Sequence, residues 1–308
     1  MPLPREFHEL AERVNNWGRW GPDDEIGTLN LITPDTVRAA AASVRSGRRF
    51  SLALPLSSDG PQTGAVAGRV NPERTMIAVN QPLTADPSQI SISDDVVTMG
   101  LQAATHWDSL AHVSYDGRLY NGFPTATIDA VGAARCGIDK VGALVGRGVL
   151  LDVARARGVD RLDGGYALLP EDLNTAEQLA GVTVGPGDIV LLRTGQMRVL
   201  KAGDKKRYAA PAAGPSMQTV EWFHGRDVAA VATDNLTFEV FPGEREDCLL
   251  PVHLLHLVEM GMTQGQNFDL EELGADCAED GVYEFFLEAS PHPFVGGLGS
   301  PVNPVAIK

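Results

Sequence analysis

The chain has 308 residues, a length that fits one large domain or two modest ones and is ample for a full hydrophobic core. Hydrophobic residues make up 44% and charged residues 21%, which is ordinary for a globular protein. The net charge of −15 argues against nucleic acid or an anionic membrane surface as a partner.

Cysteine usage and the N-terminal sequence favour a cytoplasmic protein. The three cysteines are widely spaced and form no C-x-x-C pair, so we expect no disulfide framework and a reducing compartment. The first eight residues lack the basic and then apolar pattern of a signal peptide. The longest apolar runs are far too short to span a membrane.

The first third of the chain is predicted to combine helices with short strands. Thr33-Pro34-Asp35 is a favourable helix start, because it joins a hydroxyl N-cap, a first-turn proline and an acid near the positive helix end. The predicted elements are a helix within 1–20, a helix at 33–46, a strand at 51–56, a loop at 58–73, and strands at 76–79 and 96–101. We expect residues 1–50 to pack as a helical extension on a single domain spanning 1–308.

The rest of the chain alternates short apolar strands with helices. The predicted strands are 148–153, 187–193, 228–232, 283–287 and 305–307, and the predicted helices are 170–179, 216–224 and 251–260. Gly261 is a suitable C-cap for the last helix. This alternation predicts an α/β fold in one domain, with a mixed β-sheet or barrel-like core and surrounding helices.

Residues 102–112, Gln-Ala-Ala-Thr-His-Trp-Asp-Ser-Leu-Ala-His, concentrate side chains that bind metals or transfer protons. His106, Asp108 and His112 lie within seven residues, although the whole chain has only seven histidines. Imidazole and carboxylate together suit Zn²⁺, Mn²⁺ or Fe²⁺. The alternative is that the histidines are ordinary loop residues and Asp108 is a helix N-cap. We favour a site, because three titratable groups in an apolar stretch are costly to bury unless they are paired or metal-bound.

Neither one continuous strand nor one continuous helix over residues 102–112 could bring these side chains to a single metal ion. An extended chain would put the even-numbered residues on one face, but ten residues of strand span about 33 Å, too far for one metal shell. On a helix, at roughly 100° per residue, Gln102 and His106 would point away from Asp108 and His112. The sequence therefore predicts a bend near Trp107, where a strand ends.

This run resembles the H-x-G-T-H-x-D-x-P-x-H signature of the cyclase-like metal-dependent hydrolases. That family includes bacterial kynurenine formamidase, isatin hydrolase and proteins described as polyketide cyclases. The matches in register are Thr105, His106, Asp108 and His112, and the departures are Gln102 for His, Ala104 for Gly and Leu110 for Pro. Further similar segments are 148–153, 187–195, 233–239 and 251–270, so the resemblance covers most of the chain and implies a swivelling β/β/α fold.

The resemblance implies roles for individual residues. It places metal ligands at Gln102, His106 and Asp108, and a further ligand or proton-transfer group at His253. His112 becomes a general base or acid, Thr237 matches a serine that approaches substrate, and Gln266 falls at the position of a late ligand Glu. The implied cofactor is one divalent metal ion, Zn²⁺ or Mn²⁺.

Two ligand positions therefore carry amides. A Gln oxygen is a neutral and weaker ligand for Zn²⁺ than imidazole or carboxylate. Replacement of the carboxylate at Gln266 makes a two-metal site doubtful, so we expect a single ion, bound more weakly, with complete loss of metal as the alternative.

Several other residues allow two interpretations. The aromatic residues are candidates for a substrate pocket and equally for the core: Trp17, Trp107, Tyr115, Tyr120 and Phe123. Asp234 and Glu239 follow a buried strand, where turn capping or support of a site is at least as plausible as catalysis. His256 is expected to be structural.

We predict an enzyme that hydrolyses a small cyclic amide, lactone or N-formyl amide with a metal-activated water. One alternative is a metal-dependent cyclase or dehydratase acting on a polyketide-like substrate. Another is a non-catalytic protein that binds a small molecule on the same scaffold. By analogy with relatives we expect a homo-oligomer, a dimer or tetramer.

Overall fold

A computed structural model describes residues 3–308, in which a mixed nine-stranded sheet curls into a half-barrel surrounded by helices. The strands are β1 (Arg49–Ser51), β2 (Glu73–Pro82), β3 (Ser91–Thr98), β4 (His106–Asp108), β5 (Ile128–Asp129), β6 (Gly132–Ala133), β7 (Val145–Asp152), β8 (Ala167–Leu168), β9 (Ile189–Arg193), β10 (Gly214–Pro215), β11 (Ala230–Thr233), β12 (Thr263–Gln266), β13 (Glu284–Glu288), β14 (Gly299–Pro301) and β15 (Val305–Ile307).

The nine-stranded sheet runs in the order β1-β15-β13-β7-β9-β11-β12-β4-β14. Its central strands β7, β9, β11 and β12 are parallel, and the strands on both sides pair antiparallel to them. Three two-stranded ribbons, β2–β3, β5–β6 and β8–β10, lie outside this sheet. The site segment therefore enters near one edge, between β12 and β14.

The helices cover both faces of the sheet. They are α1 (Arg5–Val14), α2 (Pro34–Ala42), α3 (Val153–Ala156), α4 (Pro170–Ala180), α5 (Met197–Lys201), α6 (Lys205–Ala209), α7 (Val220–Gly225), α8 (Pro251–His253) and α9 (Glu271–Asp280). A π-helix, Leu254–Met260, continues α8, and short 3₁₀ turns occur at Gly27–Leu31, Tyr120–Gly122, Thr125–Thr127, Ile138–Lys140 and Met217–Thr219. Among residues 3–308, none of the helices is both long and apolar enough to cross a membrane.

Side chains of the parallel strands point alternately to the two faces of the sheet and pack into two apolar layers. Val149 and Leu151 pack with α1, α4, α7 and the 251–260 helix, whereas Leu150 and Leu191 pack with α9 and Trp107 on the opposite face. Burial on both faces is the reason these strands are continuous apolar runs in the sequence.

The predicted α/β class, with a mixed sheet and surrounding helices, is confirmed. The helix predicted from Thr33 forms, and Thr33 and Thr36 cap it reciprocally, although it ends at Ala42. The strand predicted at 51–56 is wrong, because β1 stops at Ser51. Beyond it, the Leu52 N–H donates to Pro304 O and the Leu52 carbonyl accepts from the Asp269 N–H. The strand predicted at 76–79 lies within β2, whereas the strand predicted at 96–101 overlaps only the end of β3, which stops at Thr98; together β2 and β3 form a separate ribbon.

Candidate functional site

The strand β4 places His106 and Asp108 on one face of the sheet. Trp107, between them, pairs with Gly265 of β12 and Ser300 of β14 and turns its ring to the opposite apolar layer. Alternation along an extended strand explains this separation. The predicted bend at Trp107 is therefore wrong, since the chain turns on both sides of β4, in residues 101–105 and after Asp108.

The Asp108 carboxylate is the centre of the site. His106 Nε2 lies 3.4 Å and His112 Nε2 lies 3.7 Å from its Oδ1 atom. Its Oδ2 atom accepts a hydrogen bond of 2.7 Å from Gln266 Nε2. Asp108 and His106 are fully buried, whereas the His112 side chain keeps 21% exposure and so lies at the mouth.

A backbone carbonyl orients the His106 ring. His106 Nδ1 lies 2.7 Å from Ala104 O, and because a carbonyl only accepts, this nitrogen carries the proton. The lone pair on Nε2 then faces Asp108 Oδ1. Both atoms are buried without a hydrogen-bond partner. Two acceptors so close together favour a shared proton or cation between them.

The histidines lower the pKa of Asp108. Burial alone would raise it, but His112, His106 and His253 together hold this pKa well below its usual value. Burial in turn lowers the pKa of His112 by more than Asp108 raises it. At neutral pH the site therefore combines an ionised carboxylate with a neutral imidazole at its mouth.

Helix α8 brings His253 to the same centre. Its Nδ1 atom lies 2.5 Å from Glu239 Oε1, and the backbone N–H groups of His253 and Val252 donate to the same carboxylate at 2.9 and 3.1 Å. Glu239 thus caps the helix start and fixes the His253 ring with Nε2 as an acceptor. That atom lies 3.4 Å from Gln266 Nε2.

Gln102 lies beside this centre, against β14. Gly299 pairs with Asp108, and a Cβ atom at Gly299 would come within 2.6 Å of Gln102 Nε2. The missing side chain thus makes room for the Gln102 amide. Thr237 lies further back, where its hydroxyl donates to Glu239 O at 2.9 Å and holds the turn that carries Glu239.

The candidate aromatic residues separate into two groups. Trp107 and Tyr120 are fully buried in the core, and their polar atoms donate to Ala289 O and Asp24 Oδ2. Trp107 and Tyr120 are therefore core residues and do not line a substrate pocket. The remaining aromatic residues are partly buried around the segment that follows His112: Trp17, Tyr115 and Phe123.

Sequence reasoning left the role of Glu239 open and did not single out Gln264. Glu239 is 14 residues from His253, and no local pattern marks the contact. Gln264 and His256 are both fully buried, and their side-chain polar atoms lack partners. The alternation Gln264-Gly265-Gln266 in β12 could have identified Gln264, because it places two amides on one face of a buried strand.

The spacing of His106 and Asp108 matches that of two ligands of one metal ion. Bonds of about 2.1 Å in a tetrahedral shell separate neighbouring ligand atoms by about 3.4 Å, which is the distance between His106 Nε2 and Asp108 Oδ1. Within residues 3–308, however, no group of three or more His, Cys, Asp or Glu side chains is arranged to hold a metal. The part of the chain that the structure describes thus offers one pair, His106 and Asp108, with the spacing of two metal ligands, and no third such side chain beside it.

Comparisons with known proteins give a consistent result. A family model described as "Putative cyclase" matches residues 24–240. A crystal structure of a novel cyclase is 39% identical, with a TM-score of 0.87 over 96% of this chain and 100% of that chain. A search of curated proteins found no match.

Two more distant structures share the fold. Isatin hydrolase A from Ralstonia solanacearum is 22% identical, with a TM-score of 0.63 over 89% of this chain and 97% of that chain. Isatin hydrolase A from Labrenzia aggregata, bound to benzyl benzoate, is 18% identical, with a TM-score of 0.63 over 84% of this chain and 93% of that chain. The resemblance inferred from residues 102–112 is confirmed, because the family model matches well over half of the sequence. The chain belongs to the cyclase family.

Proposed function

We propose that this protein hydrolyses a small cyclic amide, lactone or N-formyl amide. The observation that carries the proposal is the convergence of His106, His112 and the Gln266 amide on the buried Asp108 carboxylate, with His253 in contact with that amide. Carbonyl hydrolysis needs a group that accepts a proton from water and donors that stabilise the developing oxyanion. Similarity of fold to the two isatin hydrolases supports a ring amide as one substrate class.

His112 is the proposed proton-transfer residue. It is the partly exposed histidine at the mouth, and burial holds its pKa low, so the neutral ring is available to accept a proton. The nearby Asp108 carboxylate stabilises the imidazolium that forms. His253, whose ring Glu239 orients, presents a second nitrogen to the same space.

The residues that would hold a metal are His106 and Asp108. One divalent ion, Zn²⁺ or Mn²⁺, would supply a Lewis acid that polarises the carbonyl and makes bound water more acidic. Two structures of a similar fold are described as a "potential metal-dependent hydrolase" and a "predicted metal-dependent hydrolase", which is consistent with this assignment.

The test is an assay of purified protein on isatin, a lactone series and N-formyl amides, with Mn²⁺ or Zn²⁺ added or with chelator. We expect turnover of at least one class and its loss with chelator. Absence of turnover on the whole panel contradicts the proposal. A ligand-induced rise in Tm without turnover would instead indicate a binding protein.

Cyclisation or dehydration is the second candidate, favoured by similarity to a structure described as a novel cyclase. The same residues would then shuttle a proton at carbon next to a carbonyl. Reaction in H₂¹⁸O separates the two, because hydrolysis places ¹⁸O in the product and cyclisation does not.

A further inference from the structure

The Gln266 amide group contacts two side chains of the kinds that bind metal ions, a carboxylate and an imidazole. Its Nε2 atom is 2.7 Å from Asp108 Oδ2 and 3.4 Å from His253 Nε2. Gln266 is 4% exposed, Asp108 is fully buried and His253 is 5% exposed, so this contact is shielded from water.

The surrounding hydrogen bonds fix the direction of the amide. Asp108, ionised, only accepts, and the opposite orientation would put the amide oxygen against a carboxylate oxygen. His253 Nδ1 donates to Glu239, so His253 Nε2 also accepts. Two acceptors therefore face the Gln266 NH₂ group, which has two hydrogens to give.

The position of the Gln266 nitrogen disfavours a metal ion bound by both Asp108 and His253. An ion bound by both Asp108 Oδ2 and His253 Nε2 would lie about 2.1 Å from each atom. The Gln266 nitrogen is already within hydrogen-bond distance of both atoms, so its hydrogens face the lone pairs that such an ion would use. A cation there would meet the positive end of the amide dipole. The other carboxylate oxygen, Oδ1, faces His106 and His112 and has no such obstacle.

We infer that the Gln266 NH₂ group replaces a cation between Asp108 and His253, so that this chain has one divalent-ion position, at His106 and Asp108 Oδ1. The inference concerns binding capacity and does not depend on which reaction the protein catalyses.

The substitution Gln266→Glu tests this inference. It keeps the shape of the side chain but puts a second carboxylate against Asp108, and two carboxylates in contact require a proton or a cation between them. We expect the metal-free variant to have a lower Tm than the wild type and to recover Tm when Mn²⁺ or Zn²⁺ is added.

The deciding measurement is metal stoichiometry without substrate. Metal-free wild type and Gln266→Glu are titrated with Mn²⁺ and with Zn²⁺ in a calorimeter, and bound metal is counted by elemental analysis. We expect Gln266→Glu to bind one equivalent more than the wild type. Gln81→Glu, which adds the same charge on the exposed strand β2, should match the wild type.

Equal stoichiometry in wild type and folded Gln266→Glu overturns the inference. If Gln266→Glu does not fold, Gln266→His supplies a neutral ligand nitrogen at the same position and should gain the same equivalent. Equal stoichiometry in wild type and folded Gln266→His then overturns the inference in the same way. Because metal binding is measured without substrate, these outcomes can be interpreted even if the hydrolase assay shows no activity.

Discussion

Glu239 Oε1 lies 2.5 Å from His253 Nδ1, and the same carboxylate accepts the backbone N–H groups of residues 252 and 253. One buried acid thus starts a helix and sets the ring of a site histidine. The two functions link the stability of α8 to the geometry of the site.

The substitution Glu239→Gln should lower kcat by about 10- to 100-fold with a smaller change in KM, because removal of a carboxylate behind a site histidine typically has effects of this size. Steady-state kinetics on an accepted substrate measure it. Glu246→Gln, on an exposed loop residue, is the matched control. Equal kinetics in wild type and Glu239→Gln would show that His253 needs no orienting acid.

His112→Ala should lower kcat by about 10²- to 10⁴-fold, the usual range for a general acid or base. Tm should change little, since the side chain is at the mouth of the site. His8→Ala, at an exposed position on α1, should leave kcat unchanged. Full activity of His112→Ala would remove His112 from the proposed mechanism.

His256 should make the protein sensitive to acid. Burial lowers the pKa of His256 from its ordinary 6.5 to about 3, so the folded state keeps it neutral while the unfolded state takes up a proton below pH 6.5. The stabilisation is complete above pH 6.5 and is lost as the pH falls towards 3. At pH 4.5 the loss is roughly 2–3 kcal/mol.

His256→Phe removes this titration, and its ring suits a position edge-on to Phe223 and Phe238. Between pH 7 and 4.5 the variant should therefore lose less free energy of unfolding than the wild type. Denaturant titrations at both pH values measure the difference. Parallel losses in the two proteins would show that His256 does not titrate on unfolding.

Gly299→Ala should destabilise the site edge. The new Cβ would lie 2.6 Å from Gln102 Nε2 and 2.9 Å from Trp107 O, and the second of these is backbone that cannot swing away. We expect a cost of about 1–3 kcal/mol, as for other overpacked positions. Gly243→Ala, whose Cβ would meet nothing nearer than 3.9 Å, should be close to neutral by thermal denaturation.

The strands of the central sheet could be predicted because each is marked by a run of apolar residues that are consecutive in the sequence. Strands β7, β9 and β11 each contain a short run of Val, Leu, Ile or Ala, and burial on both faces requires such runs. The pairing of β4 with β12 and β14 could not be predicted, since it joins residues more than 150 positions apart. The wrong bend at Trp107 has the same origin: two neighbouring strands keep β4 extended.

The site was predictable to the extent that its members are close in sequence. His106, Asp108 and His112 lie within seven residues, and the structure places both imidazoles beside the Asp108 carboxylate. The His253–Glu239 contact depends on the turn at 237–239 meeting the start of α8. That meeting is set by packing, which residue spacing does not reveal.

The register of strand β4 determines which of its side chains face the site. Because side chains alternate along it, a slip of one residue would aim Trp107 into the site and drive His106 and Asp108 into the apolar layer on the other side. Pairing with Gly265 and Ser300 on either side prevents such a slip. Insertions and deletions upstream should therefore be tolerated in the β2–β3 ribbon and its loops, and hardly at all between Thr105 and Ser109.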